Sequence, residues 1–225
     1  MSPLVECEGV SVSRDGRPVL REASFSLYEG ERLAIQGPNG SGKTTLLRAL
    51  MGLAHTDSGK IRLFGTECRD EADFRAQRPL IGYLFQDSDD QLFCPTVIED
   101  VAFGPLNLGY ANDEALRQAA AVLERLGIGA LADRVTYRLS GGEKRLVCLA
   151  GLLAMAPRIL VLDEPSNGVD EQNGRKLREV LQHFPGAILM VSHDGEFISE
   201  LATRALVIED RRLERGAVPV SVGQW

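Results

Sequence analysis

A chain of 225 residues, 44% hydrophobic and 25% charged, has room for one large domain with a buried core, or for a domain with a subdomain inserted in it. Its formal net charge of -7 argues against a general nucleic-acid binder, which needs a basic face, so no nucleic-acid partner is expected. Cys7, Cys68, Cys94 and Cys148 stand singly without C-x-x-C spacing, so reduced thiols are expected rather than a zinc site or a disulfide framework.

No basic stretch leads into an apolar run at the N-terminus, so no signal peptide is expected. Val5, Cys7, Val10 and Val12 fall near alternating positions, and Ala23, Phe25 and Leu27 alternate with polar residues. These patterns predict strands, with a turn at Asp15-Gly16 between them. Arg32 to Gln36 reads as a short apolar strand running into Gly37-Pro38-Asn39-Gly40-Ser41-Gly42-Lys43-Thr44. This octet fits G-x-x-x-x-G-K-S/T, the P-loop, and a helix is predicted from Lys43 to about Leu53. Glycines let successive backbone N–H groups turn toward one anion, and the positive end of the helix dipole reinforces them. In that motif Lys43 reaches the β- and γ-phosphates, and the Thr44 hydroxyl is placed to bind Mg²⁺.

Lys60 to Phe64 is predicted as a strand, and the pattern from Ser88 to Arg138 is helical and loop-like. Asn112 reads as the N-cap of a helix in which Leu116, Ala119, Leu123 and Leu126 recur at three- and four-residue steps, ending at Gly127. Another helix follows Gly142. Its apolar stretch, Leu146 to Ala156, falls short of the roughly 20 residues a membrane-spanning helix needs, so work at a membrane would require a partner. Ile159 to Leu162 reads as a buried strand ending in Asp163-Glu164. An acid at the tip of a parallel strand beside a P-loop suits Mg²⁺, which makes Asp163 the metal candidate. Glu164 points elsewhere and can orient or deprotonate an attacking water. A helix and a strand, Ala187 to Val191, follow. Such alternation implies a mainly parallel sheet with helices on its faces. Residues 216–225 read as a loose tail.

Leu139-Ser140-Gly141-Gly142-Glu143 resembles the signature motif of the ATP-binding cassette (ABC) family and stands in that family's order, between the P-loop and Asp163. A serine hydroxyl and glycine N–H groups at a helix start make a second anion-receptive element. The resemblance then covers nearly the whole chain. It implies an α/β P-loop NTPase cassette over residues 1–215, with a mainly parallel core, an antiparallel β subdomain and a helical subdomain inserted at about 88–155. It also implies an ATPase using ATP and Mg²⁺, in which two cassettes close around the nucleotide. Gly37 to Thr44 and Thr45 of one subunit would hold the ATP that Leu139 to Glu143 of the other contacts.

Gln86 resembles the family's Q-loop glutamine, which touches Mg²⁺ together with the positions of Thr44 and Asp163 and links to the membrane partner. Ser166-Asn167-Gly168-Val169-Asp170 resembles the D-loop, with Val169 where leucine is usual. His193 matches the switch histidine that contacts the γ-phosphate, so Glu164 and His193 are the implied catalytic pair; His55 and His183 match nothing. The family also places an aromatic residue upstream of the P-loop to stack on adenine. Ser13 or Arg14 occupies that place here, and Arg14 could substitute through planar stacking.

The stretch Phe85-Gln86-Asp87-Ser88-Asp89-Asp90-Gln91-Leu92-Phe93, continuing through Pro95-Thr96-Val97 to Asp100 and Pro105, is similar to the ATPase subunit of energy-coupling factor (ECF) importers. The cobalt and nickel type is the nearest. The resemblance implies a second cassette as partner in a homodimer, a transmembrane coupling subunit and a substrate-binding membrane subunit. It places the chain peripherally on the cytoplasmic face of the cell membrane, with Gln86, Asp90 and Gln91 at the membrane-subunit interface. A biotin or other vitamin importer of the same class stays open, as does a soluble ABC ATPase outside transport. A P-loop GTPase would carry an N-K-x-D base-reading motif, and none occurs. Many relatives have a further C-terminal domain that helps pair the cassettes. This chain ends soon after its last predicted strand, so stable pairing without ATP is not expected.

Overall fold

A computed structural model describes residues 2–219. It opens with a hairpin of β1 (Val5–Arg14) and β2 (Arg17–Leu27), in which Arg14 pairs with Arg17. Asp15 and Gly16 both take positive φ, 51° and 72°, the left-handed pair that a two-residue hairpin loop requires. Then come β3 (Arg32–Gln36), α1 (Lys43–Leu50), β4 (Ser58–Leu63), β5 (Thr66–Cys68), α2 (Glu71–Gln77) and β6 (Ile81–Leu84). The helical stretch holds α3 (Val97–Asn107), α4 (Asn112–Arg125) and α5 (Gly141–Ala154). The chain continues through β7 (Ile159–Asp163), α6 (Glu171–Gln182), β8 (Ala187–Val191), α7 (Gly195–Leu201), β9 (Arg204–Glu209) and β10 (Arg212–Gly216).

Several boundaries differ from the sequence reading. Ala111, not Asn112, is the N-cap of α4, and Asn112 is already helical with no capping side-chain bond, while Gly127 at φ 64° ends the helix as read. The strand expected at Lys60–Phe64 runs Ser58–Leu63, because Phe64 turns at φ 51°. β8 is not the last strand. β9 adds parallel to β3 and β10 folds back on β9 through Asp210 and Arg211, both with positive φ. Gly216 pairs with Ala205 in β10, and the rest of the expected tail beyond residue 219 lies outside the described residues.

Two sheets result. One is antiparallel in the order β2-β1-β4-β5; the other runs β10-β9-β3-β8-β7-β6, parallel except for the β10–β9 pair. Successive strand residues point to opposite faces, and both faces of this second sheet are covered. Leu33, Ile35, Ile159, Val161, Leu189 and Val191 join a cluster with Leu46, Leu47 and Leu50 of α1 and the antiparallel sheet. Ala34, Leu160, Leu162, Ile188 and Met190 join another with α3 to α7, including Leu146, Leu149 and Phe197. This explains why these strands read as continuous apolar runs. Cys7, Cys68 and Cys148 are buried within these packed layers, and Cys94 is half-buried.

The helix behind the P-loop is anchored by Leu46, which is fully buried on α1. Leu46→Ala is expected to cost about 2–5 kcal/mol, seen as a lower urea midpoint with an unchanged slope.

Candidate active site

Between β3 and α1 the chain makes a tight cradle. Gly37, Gly40 and Gly42 take φ of 146°, 78° and 104°, conformations that side chains resist. Space is short as well: a Cβ on Gly37 would lie 2.8 Å from Ser41 Oγ, and one on Gly42 would lie 2.8 Å from Val19 Cγ1. Lys43, 7% exposed, folds over the loop and donates to the carbonyls of Gly37 (2.8 Å) and Pro38 (3.1 Å), leaving one ammonium proton. Ser41 Oγ is buried without a hydrogen-bond partner. A buried polar orphan inside a glycine cradle fits a phosphate group, which would satisfy it.

Thr44 Oγ1 donates to Asp163 Oδ1 over 3.1 Å, so the first turn of α1 and the tip of β7 present two oxygens side by side. Tyr83, at the end of β6, reaches the other carboxylate oxygen, Oδ2, over 3.5 Å. Burial pushes the Asp163 carboxyl above the usual carboxylate range, and the Thr44 bond opposes that shift. Oxygen donors with a carboxylate suit a hard cation such as Mg²⁺, which takes few protein ligands and completes its shell with water and phosphate. Among the described residues no cluster of three His, Cys, Asp or Glu exists that could hold a metal by itself.

Glu164 leaves the strand abruptly, at φ 49°, with its N–H on the Val191 carbonyl (2.9 Å). Its carboxylate accepts from both the backbone N–H (3.2 Å) and the ring Nδ1 (2.8 Å) of His193. A carboxylate accepts and does not donate, so the proton sits on Nδ1 and Nε2 is left free on a side chain that is 63% exposed. Lys43, Thr44, Thr45, Gln86 and Glu164 line one cavity of about 420 Å³, together with Asn39, Gly40, Arg14 and Val19.

The residues of the Leu139–Glu143 loop are not among those lining that cavity. Ser140 caps α5: its Oγ accepts from the Glu143 N–H (3.3 Å) while Glu143 accepts from the Ser140 N–H (2.7 Å). The Ser140 hydroxyl proton stays available. Gly142 packs against the D-loop, where a Cβ would come 2.6 Å from Asp170 Oδ2. Asp170 itself caps α6, accepting from the Asn173 N–H (3.0 Å) and Nδ2 (2.7 Å), bonds that hold its carboxyl below the usual range. Gln86 and Asp90 also border a larger cavity of about 860 Å³ with Asp163, Gly141 and Lys144. Gln91 does not line that cavity; it borders a neighbouring apolar groove with Phe93 and Phe103. Its amide is tied to β6, accepting from the Phe85 N–H (3.1 Å) and donating to the Tyr83 carbonyl (3.2 Å).

Sequence reasoning missed Tyr83, Ser41 as a buried orphan, and Arg145. The last is 2% exposed and donates to the carbonyls of Phe85, Gln86, Asp163, Glu164 and Pro165. The available signal was its position, heading the apolar run Leu146–Ala156 where a solvated charge would be out of place.

A nucleoside-triphosphatase of the P-loop class is what this fold and site define. Residues 20–167 match the ABC transporter family. A protein of Brucella suis biovar 1 (strain 1330), named among ABC transporter ATP-binding proteins, is 54% identical over 213 residues, covering 95% of this chain and 89% of its own. The energy-coupling factor transporter ATP-binding protein EcfA of Methanothermobacter thermautotrophicus is 40% identical over 224 residues, covering 97% and 72%. The solved structure of cbiO1 from Clostridium perfringens, part of the ABC transporter complex cbiONQ, superposes with a TM-score of 0.86 at 30% identity, covering 97% and 90%. The chain belongs to the ABC transporter family, and it is an ATP-binding, ATP-hydrolysing cassette of a transporter.

Ser13 pairs with Pro18 and is not among the cavity residues, whereas Arg14 is. Of the two residues at that place, Arg14 is thus the one that borders the cavity. Arg14→Ala is expected to weaken ATP binding several-fold and Arg14→Tyr to restore it, since base stacking is worth about 1–3 kcal/mol. Equilibrium titration with ATP decides this; equal Kd values in all three proteins would remove Arg14 from the base end of the site.

Proposed function

We propose that this chain is the ATPase subunit of an ECF-type importer whose cargo is cobalt or nickel ion. The observation that carries the membrane-partner reading is an apolar groove of about 440 Å³ beside the segment that follows Gln86. Phe93 and Phe103 project from it, 62% and 41% exposed, with their rings edge-to-face at 4.5 Å. Gly104, Leu108 and Met155 continue the groove. Contiguous exposed apolar surface of this kind marks a protein–protein contact. Among the described residues no helix is long and apolar enough to cross a membrane, so the translocation path would belong to the docked subunits. The similarity to EcfA and cbiO1 supports the ECF class, and the residues from Phe85 to Pro105 support the metal-ion branch.

In this reading two copies of the chain, on the cytoplasmic face of the membrane, close around ATP. Gly37 to Thr45 enclose the phosphates of one nucleotide, and Ser140 to Gly142 of the second copy offer a hydroxyl and helix-start N–H groups to the same phosphates. Thr44, Asp163 and Gln86 would hold Mg²⁺, which when bound neutralises charge developing on the phosphoryl oxygens. Glu164 accepts the proton of the attacking water, and His193, with a proton on each ring nitrogen, donates Nδ1–H to Glu164 and Nε2–H to the γ-phosphate. Asp170, on the face of the signature loop, stands at the seam between the two copies. Opening and closing of the pair move the Gln86 segment and the groove beside it, which couples hydrolysis to the membrane subunits.

Glu164→Gln is expected to bind ATP normally and to slow turnover about 100- to 10,000-fold, accumulating an ATP-loaded dimer on size exclusion. Turnover at the unsubstituted rate would remove Glu164 as the base.

The importer assignment is tested separately, by purifying the tagged chain from detergent-solubilised membranes. The expected result is recovery of a coupling subunit and a substrate-binding subunit, with ATP-dependent uptake of cobalt or nickel by the reconstituted complex. Phe93→Asp should lose both subunits while leaving ATPase activity in place. Uptake of a vitamin instead would keep the ECF class and change the cargo; recovery of no membrane subunit would overturn the importer reading.

A further inference from the structure

Arg145 lies one turn into α5, the helix that Ser140 caps, yet it is almost fully buried. A guanidinium has five N–H donors in a rigid plane and no acceptor. Here Nε donates to the Pro165 carbonyl (3.0 Å), one Nη to the carbonyls of Phe85 and Gln86, and the other to those of Asp163 (3.0 Å) and Glu164. Every partner is a backbone oxygen. Three separate pieces of chain therefore meet on one side chain: the exit from β6, the exit from β7 and the start of the signature helix.

A second observation concerns Glu164. It takes a left-handed backbone at φ 49°, a conformation that costs a non-glycine residue free energy and persists only where its surroundings impose it. The N–H is held by Val191 and the carboxylate by His193, while Arg145 holds the carbonyl. The guanidinium also holds the carbonyl of Gln86 (3.3 Å), a residue that lines the same cavity as Lys43 and Thr44.

We propose that Arg145 is the positioning residue that holds the Glu164 carboxylate and the Gln86 segment in register with the signature helix, so that movement of that helix against the second cassette reaches the hydrolytic water of its own site. The inference rests on Glu164 being the base. It assigns Arg145 no contact with nucleotide; its effect passes through the backbones of Asp163, Glu164 and Gln86. Lysine cannot reproduce it, because an ammonium has three donors from one point and cannot span five carbonyls in a plane.

Arg32 supplies a matched control. It too donates its guanidinium to backbone carbonyls, of Leu181 (2.5 Å), Gln182 (2.7 Å) and Phe184 (3.2 Å), but at the start of β3, the end of that strand opposite to the P-loop. Arg145→Lys, Arg145→Gln and Arg32→Lys should be compared for kcat, KM and ATP Kd, each normalised to the folded fraction. Arg145→Lys is expected to lower kcat about 10- to 100-fold with Kd for ATP nearly unchanged, as misplacement of reacting groups by about 1 Å does. Arg32→Lys should lower the melting temperature while keeping kcat within about twofold. The proposal falls if Arg145→Lys loses no more kcat than Arg32→Lys, if ATP affinity falls in proportion to kcat, or if neither Arg145 variant folds. An active Glu164→Gln enzyme would sink the base assignment itself. An inactive Glu164→Gln beside a normal Arg145→Lys would sink the Arg145 inference alone.

Discussion

In the parallel ladder Ile35 lies opposite Val191, and Val191 opposite Asp163, so three strands end at nearly one level. Leu84 lies opposite Leu162 one strand further along. Backbone hydrogen bonding sets this alignment, and everything chemical follows from it. The residues just past those ends are the P-loop after Gln36, His193 after Val191, Glu164 after Asp163, and Gln86 after Leu84. A slip of one residue in any pair would turn the strand's apolar side chains to the wrong face of a sheet that is buried on both. The register that packs the core is thus the register that assembles the site.

Polar atoms at this edge are handled in two ways. Some are closed off completely, as in the five carbonyls around Arg145 and the reciprocal caps of Ser140 and Glu143. Others are left incomplete: Ser41 Oγ has no partner, Lys43 keeps one proton, and the Asp163 carboxyl is held above its usual range by burial. Closed networks make a rigid frame and incomplete groups wait for a ligand. The incomplete groups cluster where an anion and a hard cation would sit together.

Much of this was legible because the P-loop depends on glycines at fixed spacing, and a P-loop needs a strand before it and a helix after it. The Asp163-Glu164 pair and Asp15-Gly16 turn were readable for the same local reason. What escaped was tertiary. β6 has four residues, too few to show a period, and β9 and β10 exist through pairing with β3 and with each other. Arg145 drew no notice because only the folded chain brings five carbonyls to it. Gln91 lines the apolar groove beside Phe93 and Phe103 while its amide bonds to the backbone around β6, an arrangement that only the folded chain shows. Asn112 has the chemistry of a cap, but the helix starts one residue earlier in effect, at Ala111.

The scattered cysteines acquire a practical meaning from their packing. Burial raises all four thiols, with Cys7 and Cys148 pushed up to about 12. Thiolate is the reacting species, so burial and the raised thiols together shield Cys7, Cys68 and Cys148 from alkylating reagents. Cys94, half-buried, is the native thiol to replace before site-directed labelling. With it replaced, a single cysteine introduced on an exposed turn would carry a fluorophore or spin probe nearly alone, and distances between two labelled copies could be followed through the catalytic cycle without stripping the remaining thiols from the core.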